Sequence, residues 1–259
     1  MPASIVAPFG PWEPAQPSEA AAIFAAMPCP WWIAGGFAIE LAIGRPVRTH
    51  ADIDVLVLRQ DHLRVQQALH GWEWWAADPP GTLRPWLPHE QLPAAVHDIW
   101  CRPGPADPWR IQVMIDESSD GDWVSRRNPG IRRPIAGIGK TSTDGIPYLA
   151  PEIQLFYKAK GLRPKDETDF TAVLPSLTYG QRQWLSGAIA RTHGGHPWRD
   201  RLFPGSDSRR LTTHRQPFVE ERDLALLPPE PFVSVGVART ARALRGVCPR
   251  RPSRDRTAR

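Results

Sequence analysis

Residues 31–59 read WWIAGGFAIELAIGRPVRTHADIDVLVLR. A Gly35-Gly36 pair precedes Asp52-Ile53-Asp54 by sixteen residues. Side chains at i and i+2 of a strand share a face, so Asp52 and Asp54 point one way and Ile53 the other. Val55 to Leu58 continue as an apolar run, the pattern of a strand buried on both faces. Two carboxylates held that close repel each other and raise their pKa values unless a cation lies between them. Mg²⁺ prefers such ligands together with phosphate oxygens, so the pair points to a metal-assisted nucleotide site.

The preceding turn serves the same end. Trp31 to Ala34 read as a short strand, Gly35-Gly36 allow close backbone approach, and residues 37–43 read as a helix stopped by Gly44. A helix N-terminus offers free N–H groups and a partial positive charge, which suits a phosphate. Taken singly, the two pieces also read blandly, as a tight turn and an acidic strand start. Their spacing brings both to one ligand.

Working outward, 259 residues suffice for one large domain or two small ones. A hydrophobic fraction of 41% and a charged fraction of 23% are those of an ordinary globular chain. Twelve Trp and thirty Pro point instead to aromatic-lined surfaces and many short loops. The net charge of +5 is local: residues 239–259 hold eight Arg against one Asp, leaving −2 for residues 1–238. A mildly acidic body argues against a specific nucleic-acid partner. Cys29, Cys101 and Cys248 form no CxxC pair and no even-numbered disulfide framework. Residues 23–43 are broken by Pro28, Pro30, Gly35, Gly36 and Glu40, so they do not read as a membrane span, and no signal-peptide pattern opens the chain. The expected location is cytoplasmic.

Along the chain, residues 1–16 are Pro-rich and expected to be irregular. Ser18 caps a helix that ends at Pro28, and Asp61 caps another. Residues 72–77, 96–101 and 109–115 read as strands, with RPGPADP as the turn of a hairpin between the last two. Trp72, Trp74 and Trp75 read as core and wall rather than a base-stacking platform. Residues 116–145 are polar and loop-rich, and helices are expected from Pro151, Lys165 and Gly180. Strands first and helices later make an α+β chain: a mixed sheet with flanking helices over 17–146, a smaller helical region over 147–196, and an Arg/Pro-rich tail without a core over 197–259.

The run W-I-A-G-G-F-A-I-E-L-A-I-G-R-P-V-R-T-H-A-D-I-D resembles the small-molecule nucleotidyltransferases of the polymerase-beta-like superfamily, notably aminoglycoside 2″-adenylyltransferases and lincosamide nucleotidyltransferases. These carry a G-G-W/F-A turn followed by G-R-x-x-R-x-H-x-D-I-D. Residues 147–170 resemble the family's later helical segment more loosely. The resemblance implies a nucleotidyltransferase fold and a Mg²⁺-dependent enzyme. A hydroxyl of a small acceptor, such as an aminoglycoside or lincosamide antibiotic, attacks the α-phosphorus of ATP or another NTP and releases pyrophosphate. Asp52 and Asp54 then ligate metal, Gly35-Gly36 approach the triphosphate, and Arg48 and His50 flank it; His50 reads equally as a structural residue before the strand.

The family's third carboxylate falls by alignment on Met114, which cannot ligate a metal. Two acids can replace it. Asp116 is i+2 from Met114 and shares its face, while Asp98 lies inside the preceding strand. Asp116 is placed first. Lys158 and Lys165, with Lys160, are candidates to neutralise the triphosphate, or are solvated charges on an exposed helical face. Glu152 and Asp166 read as helix caps, and with Asp169 they alternatively offer acids to a cationic sugar. That choice leaves the acceptor open, since the tryptophans would suit an apolar one.

The apolar residue at 114 admits a rival, a nucleotidyltransferase-fold binding module that has lost catalysis and acts as an antitoxin-like regulator. The run Gly137-Ile138-Gly139-Lys140-Thr141 resembles the end of a phosphate-binding P-loop but lacks its first glycine.

Overall fold

A computed structural model describes residues 6–7 and 9–204, with the backbone alone at 6 and 7. The strands are β1 (Val6–Ala7), β2 (Gly10–Pro11), β3 (Trp31–Ile33), β4 (Asp54–Leu58), β5 (Glu73–Ala76), β6 (Arg84–Pro85), β7 (Asp98–Arg102), β8 (Ile111–Ser119), β9 (Asp122–Val124), β10 (Arg132–Pro134), β11 (Gly139–Thr141) and β12 (Pro147–Leu149). The α-helices are α1 (Pro17–Ile23), α2 (Gly35–Ile43), α3 (His62–Ala68), α4 (Pro151–Lys158), α5 (Pro164–Val173), α6 (Tyr179–His193) and α7 (Pro197–Leu202).

All strands but β1 and β2 belong to one ten-stranded sheet, whose main path runs β11-β12-β3-β4-β8-β7-β5-β6, with β9 and β10 attached beyond β8. The pairs β4–β8 and β12–β3 are parallel, and β3–β4 and β7–β8 antiparallel, so the sheet is mixed. The α+β expectation holds. The apolar run after Asp54 makes β4 a central strand, with Val55 opposite Val113 and Val57 opposite Ile115. Ile99 extends that row from β7. These side chains are fully or nearly fully buried on one face of the sheet.

The opposite face carries the chemistry. Directly paired residues share a face, so Asp54, Gln112 and Trp100 lie in a row across β4, β8 and β7. Asp98 lies one pair further, opposite Met114, and Trp75 continues the row from β5. These five residues remain partly exposed. Leu56, Leu58 and Asp116 share the face but are buried, where Tyr157 of α4 reaches Asp116.

Helix α2 ends at Gly44 in the left-handed conformation, and α4 and α5 each carry Pro in the first turn. Thr178 and Gln181 close a reciprocal capping box at the start of α6. Helices α2, α4 and α5 pack together, α6 packs on α4, and α7 on α6.

Several boundaries differ from the sequence reading. Residues 1–16, expected to be irregular, hold the paired strands β1 and β2, and α1 runs Pro17–Ile23 with Gln16 at its N-cap, so Ser18 lies inside it and it ends well before Pro28. Residues 147–149 form β12 and belong to the sheet, because Tyr148 pairs beside Ile33. The polar stretch 116–145 holds β9, β10 and β11, short strands that alternation over three residues cannot announce; Gly139-Lys140-Thr141 is one of them, not a phosphate loop. The helical region runs past 196, where Trp198 and Leu202 of α7 are fully buried and Trp198 stacks on Phe170 at 4.3 Å. The Arg/Pro-rich composition of the tail conceals this helix; residues 205–259 lie outside the described part. Within that part, no helix is long and apolar enough to cross a membrane.

Candidate active site

The glycine turn is built around the acids. Helix α2 begins at Gly35 itself, two residues earlier than its apolar pattern suggests. Gly35 has φ +67°, and a β-carbon there would collide with Asp54 Oδ2 and lie 3.2 Å from its Cγ. A β-carbon on Gly36 would collide with Arg48 Nη2 and His50 Cε1. The two glycines thus make room for side chains of the D-I-D segment and its approach. The N–H of Gly35 is already engaged, donating to Gln154 Oε1 at 2.8 Å. Ala34 N–H donates to the Asp54 carbonyl at 2.8 Å, pinning the turn to β4.

Arg48 and His50 support this turn. Arg48 donates to both carboxylate oxygens of Asp169, at 2.9 and 3.0 Å. His50 donates from Nε2 to Glu40 Oε1 at 2.8 Å and stacks on Phe37 at 4.0 Å. Burial alone would raise the Glu40 pKa, but hydrogen bonds from His50 and from the N–H groups of Val47 and Arg48 hold it below the usual carboxylate range. Both residues stand against Gly36, and the contacts of His50 to Glu40 and Phe37 are those of a structural residue.

Asp52 precedes β4 and Asp54 opens it. Burial and the neighbouring Asp52 charge push the Asp54 carboxyl up to about 7; Asp98 adds to the rise, against the pull of Lys158 and Lys165. That frustration is what a bound cation relieves. Among the described residues, no three His, Cys, Asp or Glu side chains converge closely enough to hold a metal ion alone. The donor set still fits Mg²⁺, which typically takes one or two protein carboxylates and completes its shell with water and substrate phosphates.

Asp116 is not at this site. It stands opposite Leu58, four residues along β4 from Asp54; at about 3.3 Å per residue that is roughly 13 Å. Its fully buried carboxylate accepts from Trp123 Nε1 and Tyr157 Oη, each at 2.7 Å, and pairs with Arg126 at 3.4 Å. Burial raises its pKa against these partners. The i+2 rule gave the correct face for Asp116 but not its distance along the strand. Asp98 is the acid that reaches Asp54 electrostatically, and Gln112 Nε2 donates to its Oδ1 at 3.2 Å.

Lys158 is also reassigned. Its Nζ is buried between Asp169 at 2.8 Å and Asp166 at 3.2 Å, so it ties α4 to α5 rather than facing solvent. Lys165 is exposed and lies within electrostatic reach of Asp54. Arg163, not singled out from sequence, feels the charges of both Asp52 and Asp54 while bound to Asp166 at 2.7 Å. Glu152 is no simple cap: it binds Arg133 and Gln181, each at 2.7 Å. Gln112 and Gln154 also escaped the sequence reading, because a lone glutamine in an amphipathic element carries no local signal.

Residues 18–76 match the family model for aminoglycoside-2''-adenylyltransferase. This segment holds the glycine turn and the D-I-D strand, and the match supports the resemblance and a nucleotidyltransferase enzyme. No curated protein matches the chain. Among solved structures, the chain is similar to ANT(2")-Ia in complex with adenylyl-2"-tobramycin, at 17% identity over 67% of this chain and 95% of that one, with a TM-score of 0.44. It is similar to the lincosamide antibiotic adenylyltransferase LnuA, lincomycin-bound, at 19% identity over 62% and 95%, TM-score 0.43. An antigenic nucleotidyltransferase-like protein from Paracoccidioides brasiliensis matches at 17% identity over 67% and 84%, TM-score 0.38.

Proposed function

We propose that this chain transfers a nucleoside monophosphate, AMP by preference, from an NTP to a hydroxyl group of a small-molecule antibiotic, with Mg²⁺ as the cofactor. The observation that carries the reading is the fit of Gly35 against Asp54: a phosphate-approach turn and a metal-type carboxylate are packed on each other with no room for a β-carbon.

Asp52 and Asp54 would hold the cation, which on binding neutralises the triphosphate and the charge that develops during displacement. The chain's own groups do the rest. Lys165 and Arg163, at the start of α5, supply positive charge on the triphosphate side. The acceptor hydroxyl oxygen bonds to the α-phosphorus as the bond to pyrophosphate breaks. Asp98, oriented by Gln112, takes the hydroxyl proton. Asp98 therefore replaces Asp116 as the third acid. With Asp98 in that role the apolar residue at 114 does not by itself favour the binding-only rival, since Met114 stands directly opposite Asp98 on the paired strand.

The test is to incubate the protein with Mg²⁺, ATP or another NTP, and a panel including tobramycin and lincomycin, then to measure pyrophosphate and acceptor mass. Gain of one nucleotide on an acceptor, lost in Asp54→Asn, is expected. No NTP consumed with any acceptor would overturn the reading.

A further inference from the structure

Beyond the carboxylates, the same sheet face turns aromatic. Trp100 stands directly across Gln112 from Asp54. Two strand spacings put it about 10 Å from Asp54 along the sheet. Trp12 packs edge-on to Trp100 with ring centres 4.9 Å apart, and Phe9 does so at 6.0 Å. Trp109 is buried against Trp100 at 5.7 Å, and Trp75 meets Trp109 from β5 at 6.3 Å. The segment carrying Phe9 and Trp12 is anchored there: Trp109 Nε1 donates to the Phe9 carbonyl at 2.8 Å, and Trp12 pairs with Trp109 through the backbone. Trp12, Trp75 and Trp100 stay partly exposed and Phe9 is 38% exposed, so solvent reaches this wall.

The charges beside it are already matched. Glu73 is paired with Arg102 at 2.9 Å, and Arg102 lies over the Trp109 ring at 4.3 Å. Glu13 and Glu19 both face Arg110 at 3.4 Å. The acids of the helical region that could suit a cationic sugar are likewise committed: Glu152 to Arg133, Asp166 to Arg163 and Lys158, Asp169 to Arg48 and Lys158. A polyamine would have to displace these internal pairs, compete with the metal for Asp52 and Asp54, or occupy Asp98, the acid that the transfer step needs as its base. An apolar ring face needs neither, and gains the burial of aromatic surface. A single ammonium is also accommodated, by the π-face of a tryptophan.

We infer that the acceptor lies against the Trp100 wall, and that it is a glycoside with one apolar face and at most one positive charge rather than a polyamino sugar. This rests on the transferase reading above and narrows its substrate class.

The experiment titrates lincomycin, with a single amine, and tobramycin, a polyamine, into protein with Mg²⁺ and a nonhydrolysable ATP analogue, reading heat and tryptophan fluorescence. Wild type, Trp100→Ala and Trp100→Phe are compared, with the ATP analogue titrated separately into each and into Asp54→Asn. Lincomycin is expected to bind the wild type more tightly than tobramycin. Trp100→Ala should weaken lincomycin at least tenfold at unchanged nucleotide affinity, and Trp100→Phe should restore most of it. Tighter binding of tobramycin, binding of neither compound, or lincomycin affinity indifferent to Trp100→Ala would each overturn the inference. Absence of Asp54-dependent nucleotide binding would instead overturn the transferase reading, so the two failures are told apart.

Discussion

Gly35 and Asp54 are packed so tightly that a single added methyl group on the glycine would overlap the carboxylate oxygen Oδ2. The backbone at Gly35 also has φ +67°, a conformation that costs other residues about 1–3 kcal/mol. Gly35→Ala is therefore expected to lose nearly all Mg²⁺-dependent NTP binding and to lower stability by about 2 kcal/mol. Calorimetric titration and denaturant unfolding check the two effects separately.

Asp98 and Asp116 should fail in opposite ways. Asp98→Asn removes a partly exposed carboxylate and is expected to reduce turnover by a hundredfold or more with little change in Tm. Asp116→Asn leaves Arg126 without its buried counter-charge and should cost about 3 kcal/mol of stability, while the folded fraction keeps its turnover. Turnover normalised to folded protein decides; equal loss of turnover in both variants would refute the assignment.

Asp166 gives the fold an acid-sensitive joint. Burial works to raise its pKa, but hydrogen bonding to Arg163 and the charge of Lys158 outweigh this and hold it below the ordinary carboxylate value of 3.8. A depressed acid stabilises the folded state above its unfolded pKa, and that contribution fades as pH falls through the folded pKa. Asp166→Asn should thus lower Tm clearly at pH 7 and much less near pH 3. A Tm difference that does not shrink on acidification would count against the role.

Trp198 should matter as much as any strand residue. It is fully buried, stacked on Phe170, and donates from Nε1 to Glu167 at 2.5 Å. Trp198→Ala is expected to cost about 3–5 kcal/mol, readable as a lowered denaturation midpoint. A midpoint within error of wild type would show that α7 contributes little.

The glycine turn, the D-I-D strand and the mixed sheet were legible because each leaves a local mark: a glycine pair, an i/i+2 acid pair, an apolar run. What failed was register and docking. Asp116 does share a face with Asp54, but pairing with Leu58 sets it at the wrong end of that face, and pairing is a property of two strands. Lys158 shows a cation near the end of a helix, whereas its partners Asp166 and Asp169 arrive only when α5 packs against α4. Trp198 sits in a six-residue helix amid Arg and Pro, too short for periodicity to register. The acid at 98 was visible as a charge inside a strand; its reach toward Asp54 was not.

Arg48 joins Asp169, Asp169 joins Lys158, Lys158 joins Asp166, and Asp166 joins Arg163. This chain of charges begins beside Gly36 and ends on Arg163, the N-cap of α5, with both aspartates fully buried. Its members come from segments more than a hundred residues apart in the chain, and removing Asp169 leaves Arg48 without a carboxylate, as removing Asp166 does Arg163. The sheet portion and the helical portion are therefore not interchangeable parts. A chimaera whose grafted helices lacked an acid at the Asp169 position would leave Arg48 of the sheet portion without its counter-ion.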